Sequence, residues 1–183
     1  REYKIEATDI YGQKAFGSVL VKRMEVISNE AITTLRPDRI KLSKKRDAVA
    51  VIIGIQDYKD VKGIPKAEFA NDDARDFFNY AVSALGIKPE NIKMLVDAEA
   101  EQTQIYRAFR GWLPTRVTKG STDVYVFYAG HGLPAPDGKS LYLVPYGADK
   151  DFLEETGVSQ NKLIEAIQTT QPKSVTVFID SCY

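Results

Sequence analysis

AVAVIIGI, residues 48–55, is a nearly unbroken run of small and β-branched apolar residues. Such a run is expected of a strand covered on both faces, as in a parallel sheet. The chain downstream alternates similar blocks with amphipathic stretches. Phe69, Asp73, Asp76, Phe77 and Tyr80 recur at helical spacings and predict a helix from about Lys66 to Leu85, stopped by Gly86. NIKMLV (91–96) predicts a short strand, and QIYRAFRGW (104–112) a second helix ending near Pro114. DVYVFYA (123–129) is the next buried strand, broken by Gly130, His131 and Gly132. SLYLVP (140–145) is too short for a helix and suits a small edge strand. A third helix over Ser159–Thr169, with Ser159 as N-cap, precedes the last strand, SVTVFID (174–180). Strands alternating with helices predict an α/β fold, a three-layer α/β/α sandwich around a mostly parallel sheet.

Upstream of residue 48 the pattern differs. YKIEAT (3–8) and FGSVLV (16–21) flank the turn-rich DIYGQK, so residues 1–27 read as a short β-hairpin. With ATDIYGQ leading into an alternating strand, this stretch resembles the closing strands of immunoglobulin-like repeats in multidomain bacterial proteins. Residues 28–47 are polar and basic, with Pro37 as a breaker, and read as a linker; residues 48–183 then form the main domain.

The 183 residues are 44% hydrophobic and 27% charged, enough for one sizeable core. Lys plus Arg equal Asp plus Glu at 25 each, so no excess of positive charge points to nucleic acid or an anionic membrane. No stretch approaches the ~20 apolar residues of a spanning helix. Residue 1 is Arg, which suggests a start within a longer precursor and leaves the compartment open. One Cys and one His exclude an intrachain disulfide and make the usual zinc sets improbable.

That single His and single Cys each follow a predicted strand by one residue: His131 after VYVFYA and Gly130, Cys182 after SVTVFID and Ser181. In open α/β sheets, ligands bind at the carboxyl ends of strands. Were the two strands neighbours, their backbones would lie about 4.8 Å apart, within reach of one substrate carbonyl. That is the geometry of a Cys-His dyad. The backbone N–H groups of Gly132 and Cys182 are candidates for an oxyanion hole.

On VIIGIQDY, AEFANDDARDF, VYVFYAGHG and VFIDSCY, in this order, the chain resembles the caspase-like cysteine peptidases from about Ala48 to Tyr183. The 51 residues between His131 and Cys182 agree with the ~50 of the caspase signature. Asp-Ser-Cys, where animal caspases have Gln-Ala-Cys, makes it more similar to the metacaspase, paracaspase and bacterial orthocaspase branch. The resemblance implies a caspase-like sheet and an endopeptidase with His131 and Cys182 as catalytic residues, and it raises self-processing. It further implies that Asp72 and Asp180 line the pocket for the residue before the scissile bond, which would then be Arg or Lys.

Some metacaspases bind calcium through aspartates after the histidine loop. Here GVSQNKL has no acidic pair, so no cofactor is expected, although Asp137, Asp149 and Asp151 remain available to calcium. The sequence ends one residue after Cys182, so a small-subunit-like portion of the same precursor, or a partner chain, is expected to complete the substrate groove, and these residues alone are expected to be inactive. The alternative function is a catalytically silent caspase-like scaffold, whose usual mark, loss of the His or Cys, is missing. A nucleotide-binding domain is disfavoured because no Gly-rich phosphate loop follows a strand.

Overall fold

The computed structural model describes residues 47–58, 63–135 and 141–181, and the backbone of residues 2–8 and 14–20. The linker read at 28–47, apart from Asp47, lies outside the described residues, as do Asp137 and Cys182. Contacts divide the chain into two units, residues 1–34 and 35–183. In the first, β1 (Glu2–Thr8) and β2 (Lys14–Leu20) pair antiparallel from Glu2↔Leu20 to Thr8↔Lys14, the hairpin expected there.

The second unit is built on four parallel strands: β3 (Ala48–Gly54), β4 (Ile92–Val96), β5 (Asp123–Ala129) and β9 (Ser174–Asp180), in the order β4-β3-β5-β9. Right-handed crossovers then require the leftward step from β3 to β4 to carry its helix, α1 (Ala70–Ser83), on one face. The rightward steps must carry α2 (Gln102–Arg107) and α4 (Gln160–Thr169) on the other.

The packing follows that parity. Ala48, Ala50 and Ile52 join Ala74, Ala81 and Ile87 beneath α1. Val49, Val51, Ile53 and Ile55 join Ile105, Phe109, Leu113, Leu163 and Ile167 on the opposite face. Val49, Val51, Ile52 and Ile53 have no exposed surface, and each such burial contributes about 1.5–3 kcal/mol. This is the three-layer α/β sandwich that the alternating pattern predicts. Helix α1 lies so close to β3 that a Cβ on Gly54 would sit 2.6 Å from the Ala74 Cβ and 2.7 Å from the Ala70 carbonyl oxygen. At the amino ends of the strands, the Thr122 hydroxyl donates to Asp47 (2.8 Å) and the Ser174 hydroxyl to Asp123 (2.6 Å), which pins the register.

Three elements differ from their sequence reading. Helix α1 begins at Ala70, not near Lys66. Phe69 adopts a left-handed φ of 70°, and the Ala67 N–H donates to the Gln56 carbonyl (3.0 Å), so residues 64–69 form a loop tied to the end of β3. The second helix starts at Gln102 and passes into a π-helical turn, Ala108–Trp112, and a 3-10 turn at Leu113–Thr115. The strand in SLYLVP, β7 (Leu141–Leu143), is the middle strand of a small antiparallel sheet, flanked by β6 (Gly132–Pro134) and β8 (Val158–Ser159). A four-residue helix α3 (Leu153–Thr156) leads into β8, and the Ser159 hydroxyl caps α4 at the Lys162 N–H. Strand β9 is largely exposed, with Val175, Val177 and Phe178 open to solvent.

Candidate active site

The carboxyl ends of β3 and β5 adjoin where the direction of strand progression reverses, the place at which open α/β sheets form a crevice. The chain leaving β3 is held there by Asp97, at the end of β4. Its Oδ1 accepts the N–H groups of Gln56 (2.9 Å) and Asp57 (3.0 Å), and its Oδ2 accepts the Asn71 side-chain amide (2.6 Å). Asp97 has a φ of 46°, a conformation in which Asp and Asn are enriched among non-glycine residues. The clamped turn delivers Tyr58, whose side chain is buried. Burial pushes the Tyr58 phenol up, against hydrogen bonds with the His131 N–H and the Tyr128 side chain that favour its ionised form; the Asp97 charge pushes it up too. It stays protonated.

His131 is held at three points. Its backbone N–H donates to the Tyr58 hydroxyl oxygen (2.7 Å), and its carbonyl accepts from the Tyr128 hydroxyl (2.7 Å) and the Val144 N–H (3.0 Å). Its ring Nε2 lies 2.8 Å from the Pro65 carbonyl oxygen. A carbonyl can only accept, so the hydrogen sits on Nε2 and the neutral imidazole keeps its lone pair on Nδ1. The Tyr58 ring stands 5.0 Å from the imidazole, centroid to centroid, at 38°. Gly130 has a φ of 153° and fits between the two phenols: a Cβ there would meet the Tyr58 oxygen at 2.7 Å and the Tyr128 oxygen at 2.9 Å.

The two strands that lead to His131 and Cys182 are neighbours, β5 and β9, paired as far as Ala129↔Asp180. The Gly130 N–H extends the pairing to the Asp180 carbonyl (3.2 Å). His131 and Cys182 each follow the last paired residue by two positions. In the small sheet, the bond from Val144 to His131 makes the next pair, Gly132↔Leu143, a non-bonded one by antiparallel alternation. The Gly132 N–H is therefore directed away from β7.

The candidate carboxylates are placed differently from one another. Asp72 is exposed and pairs with Arg75 at 3.0 Å. Asp73, Asp76 and Asp180 line a cavity of about 440 Å³ with Phe77, Tyr80, Phe127 and Phe178. Burial, and then the charges of Asp180, Asp76 and Asp72, push the Asp73 carboxyl up. The cavity thus contains one member of the pair read from the sequence, Asp180, and brings Asp73 rather than Asp72 to it. Farther off, Asp149 accepts the Asp151 N–H (2.9 Å), and Asp151 pairs with Lys150. Among the described residues, no group of three or more His, Cys, Asp or Glu could hold a metal ion, and no helix is long and apolar enough to cross a membrane.

Residues 47–183 match the family model described as the caspase domain. The chain belongs to the caspase-domain family. Among solved structures, this caspase-domain chain is similar to protein GSU0716 from Geobacter sulfurreducens, with 21% identity and a TM-score of 0.54 over 74% of this chain. The match spans 50% of that protein's chain, and at this identity it bears on the fold. Among curated proteins, none matches.

Three parts of the candidate site are not picked out by the sequence reading. The Pro65 carbonyl is a backbone group 66 residues from His131, and no side-chain pattern marks it. Tyr58 lies three residues past the apolar run 48–55 and belongs to no periodic pattern. Asp97 carried one available signal, an acidic residue directly after NIKMLV, at a strand's carboxyl end.

Proposed function

We propose that the chain carries the catalytic portion of a cysteine endopeptidase that cleaves after Arg or Lys, with Cys182 as nucleophile and His131 as acid and base. The observation that carries this reading is the fixed imidazole at the end of β5. Its Nε2–H is bound to Pro65, and it lies beside the strand whose continuation bears the only Cys. In the family to which the chain belongs, that pairing of residues is used for acyl transfer.

The Nδ1 lone pair accepts the Cys182 proton, and the thiolate attacks the peptide carbonyl. The N–H groups of Gly132 and Cys182 receive the oxyanion, a contribution of ~10²–10³ in kcat for each donor. Protonated His131 then gives its Nδ1 proton to the leaving amine. Water activated by the same nitrogen hydrolyses the thioester. No cofactor is required. Asp180, with Asp73 across the cavity and Asp76 and Asp72 close by, makes a negative field suited to a guanidinium or ammonium group. A small-subunit-like segment of the precursor, or a partner chain, covers exposed β9 and completes the groove.

The test uses the protein extended beyond Tyr183, with peptide reporters ending in Arg, Lys or Asp. Cleavage after Arg and Lys is expected, together with its complete loss in Cys182→Ala. Activity that survives in Cys182→Ala, or a preference for the Asp reporter, would overturn the proposal.

A further inference from the structure

We infer that Tyr58, itself placed by the Asp97 clamp, is a positioning residue for His131. The inference rests on the peptidase reading for its kinetic consequence, but its structural part stands on its own. Without Tyr58, the imidazole would keep the Pro65 contact, and its backbone would keep the bonds to Tyr128 and Val144, both of which are made by the His131 carbonyl. The His131 N–H is a separate anchor, and Tyr58 supplies its acceptor. The same phenol carries the ring that packs against the imidazole. One side chain therefore fixes both the position of the histidine backbone and one face of its ring.

Tyr58 can do this only if its own turn is rigid. The turn has no regular secondary structure, and two consecutive N–H groups, Gln56 and Asp57, end on a single carboxylate oxygen of Asp97. Asn71 holds the other oxygen and so orients the clamp. The Asn71 Oδ1 is buried and has no partner among the described residues, so the amide is placed to serve Asp97. A chain of direct contacts thus runs from α1 and the end of β4, through the 56–58 turn, to His131.

The chain contains one His, so its imidazole and backbone amide signals can be assigned unambiguously by NMR. Tyr58→Phe removes the acceptor and keeps the ring; Tyr58→Leu removes both. In Tyr58→Phe, the His131 amide should exchange with solvent at least tenfold faster while the imidazole proton shifts stay close to the parent's. In Tyr58→Leu, the imidazole shifts should move as well. In the active, extended protein, kcat should fall on the order of tenfold in Tyr58→Phe with KM unchanged, as for a displaced catalytic group. Asp97→Ala should show the same kcat loss. Asp97→Asn keeps an acceptor for both N–H groups and tolerates the positive φ, and once the Asn71 amide turns over to present its Oδ1 the new side-chain amide can donate to it, so it should restore near-parental kcat.

Unchanged exchange of the His131 amide in Tyr58→Phe would overturn the inference, as would loss of thermal stability with parental kcat. Absence of activity in the unsubstituted extended protein would instead count against the peptidase reading, and the NMR arm would still decide the role of Tyr58.

Discussion

Replacing Gly130 with Ala tests the geometry of the histidine loop without any assumption about substrate. At a φ of 153° the residue occupies backbone space that side-chain-bearing residues rarely adopt, a strain of ~1–3 kcal/mol. The new methyl would also lie 2.7 and 2.9 Å from the Tyr58 and Tyr128 oxygens, both closer than a Cβ can approach, so both phenols must withdraw. Those phenols hold the His131 N–H and carbonyl, each at 2.7 Å, and each such bond has a net worth of about 1 kcal/mol. The sum is a loss of roughly 3–5 kcal/mol, a large part of the ~5–15 kcal/mol of a typical domain. Urea unfolding can be followed by fluorescence of Trp112, the only tryptophan. With an m-value of ~2 kcal/mol/M, the midpoint should fall by about 2 M. Adding Tyr58→Phe to Gly130→Ala removes the nearer oxygen and should recover part of that shift. A Gly130→Ala midpoint within about 0.3 M of the parent would refute the close packing of Gly130 between the two phenols.

Two further outcomes follow from charge and packing. The Asp73 carboxyl is raised above its ordinary value of 3.8 by burial and by Asp180, Asp76 and Asp72, so the folded state holds its proton more tightly than the unfolded chain. Its contribution is fully present below pH 3.8 and is lost as pH rises through the raised value. Asp73→Asn should therefore be more stable than the parent at neutral pH, with the difference shrinking on acidification; melting temperatures from pH 3 to 7 measure this, and a difference that grows towards acid contradicts it. In the active protein, the same substitution should raise KM for Arg reporters. Gly54→Ala places a methyl 2.6 Å from Ala74 and 2.7 Å from the Ala70 carbonyl, and overpacking of this kind costs ~1–3 kcal/mol. Its urea midpoint should drop, and a parental midpoint would show that α1 can shift away from β3 without cost.

The strands and the α/β alternation were legible because burial on both faces leaves a continuous apolar signature, as in AVAVIIGI and DVYVFYA. His131 and Cys182 were legible as the only residues of their kind, each just past such a run. The boundary of α1 was not. Its first turns share the amphipathic pattern of the loop before them, and that loop is tied to the end of β3 by the bond from the Ala67 N–H to the Gln56 carbonyl. That matters for the acidic cavity, since consecutive residues on a helix point about 100° apart. Asp72 and Asp73 are adjacent in sequence, yet Asp73 faces Asp180 and Asp72 faces Arg75.

The sequence alone indicated the layered α/β class, the order along the chain of the four parallel strands and of the main helices between them, and the only His and only Cys just past two of those strands. These follow from local periodicity and residue chemistry, which a linear string records. Only the tertiary structure decided that β5 and β9 are neighbours, that a proline carbonyl 66 residues away fixes the histidine tautomer, and that Tyr58 and Asp97 hold the loop in place. Those contacts use backbone groups, single hydroxyls and one carboxylate, brought together at the carboxyl ends of β3, β4 and β5. Such groups leave no periodic trace, and their meaning depends on what the fold sets beside them.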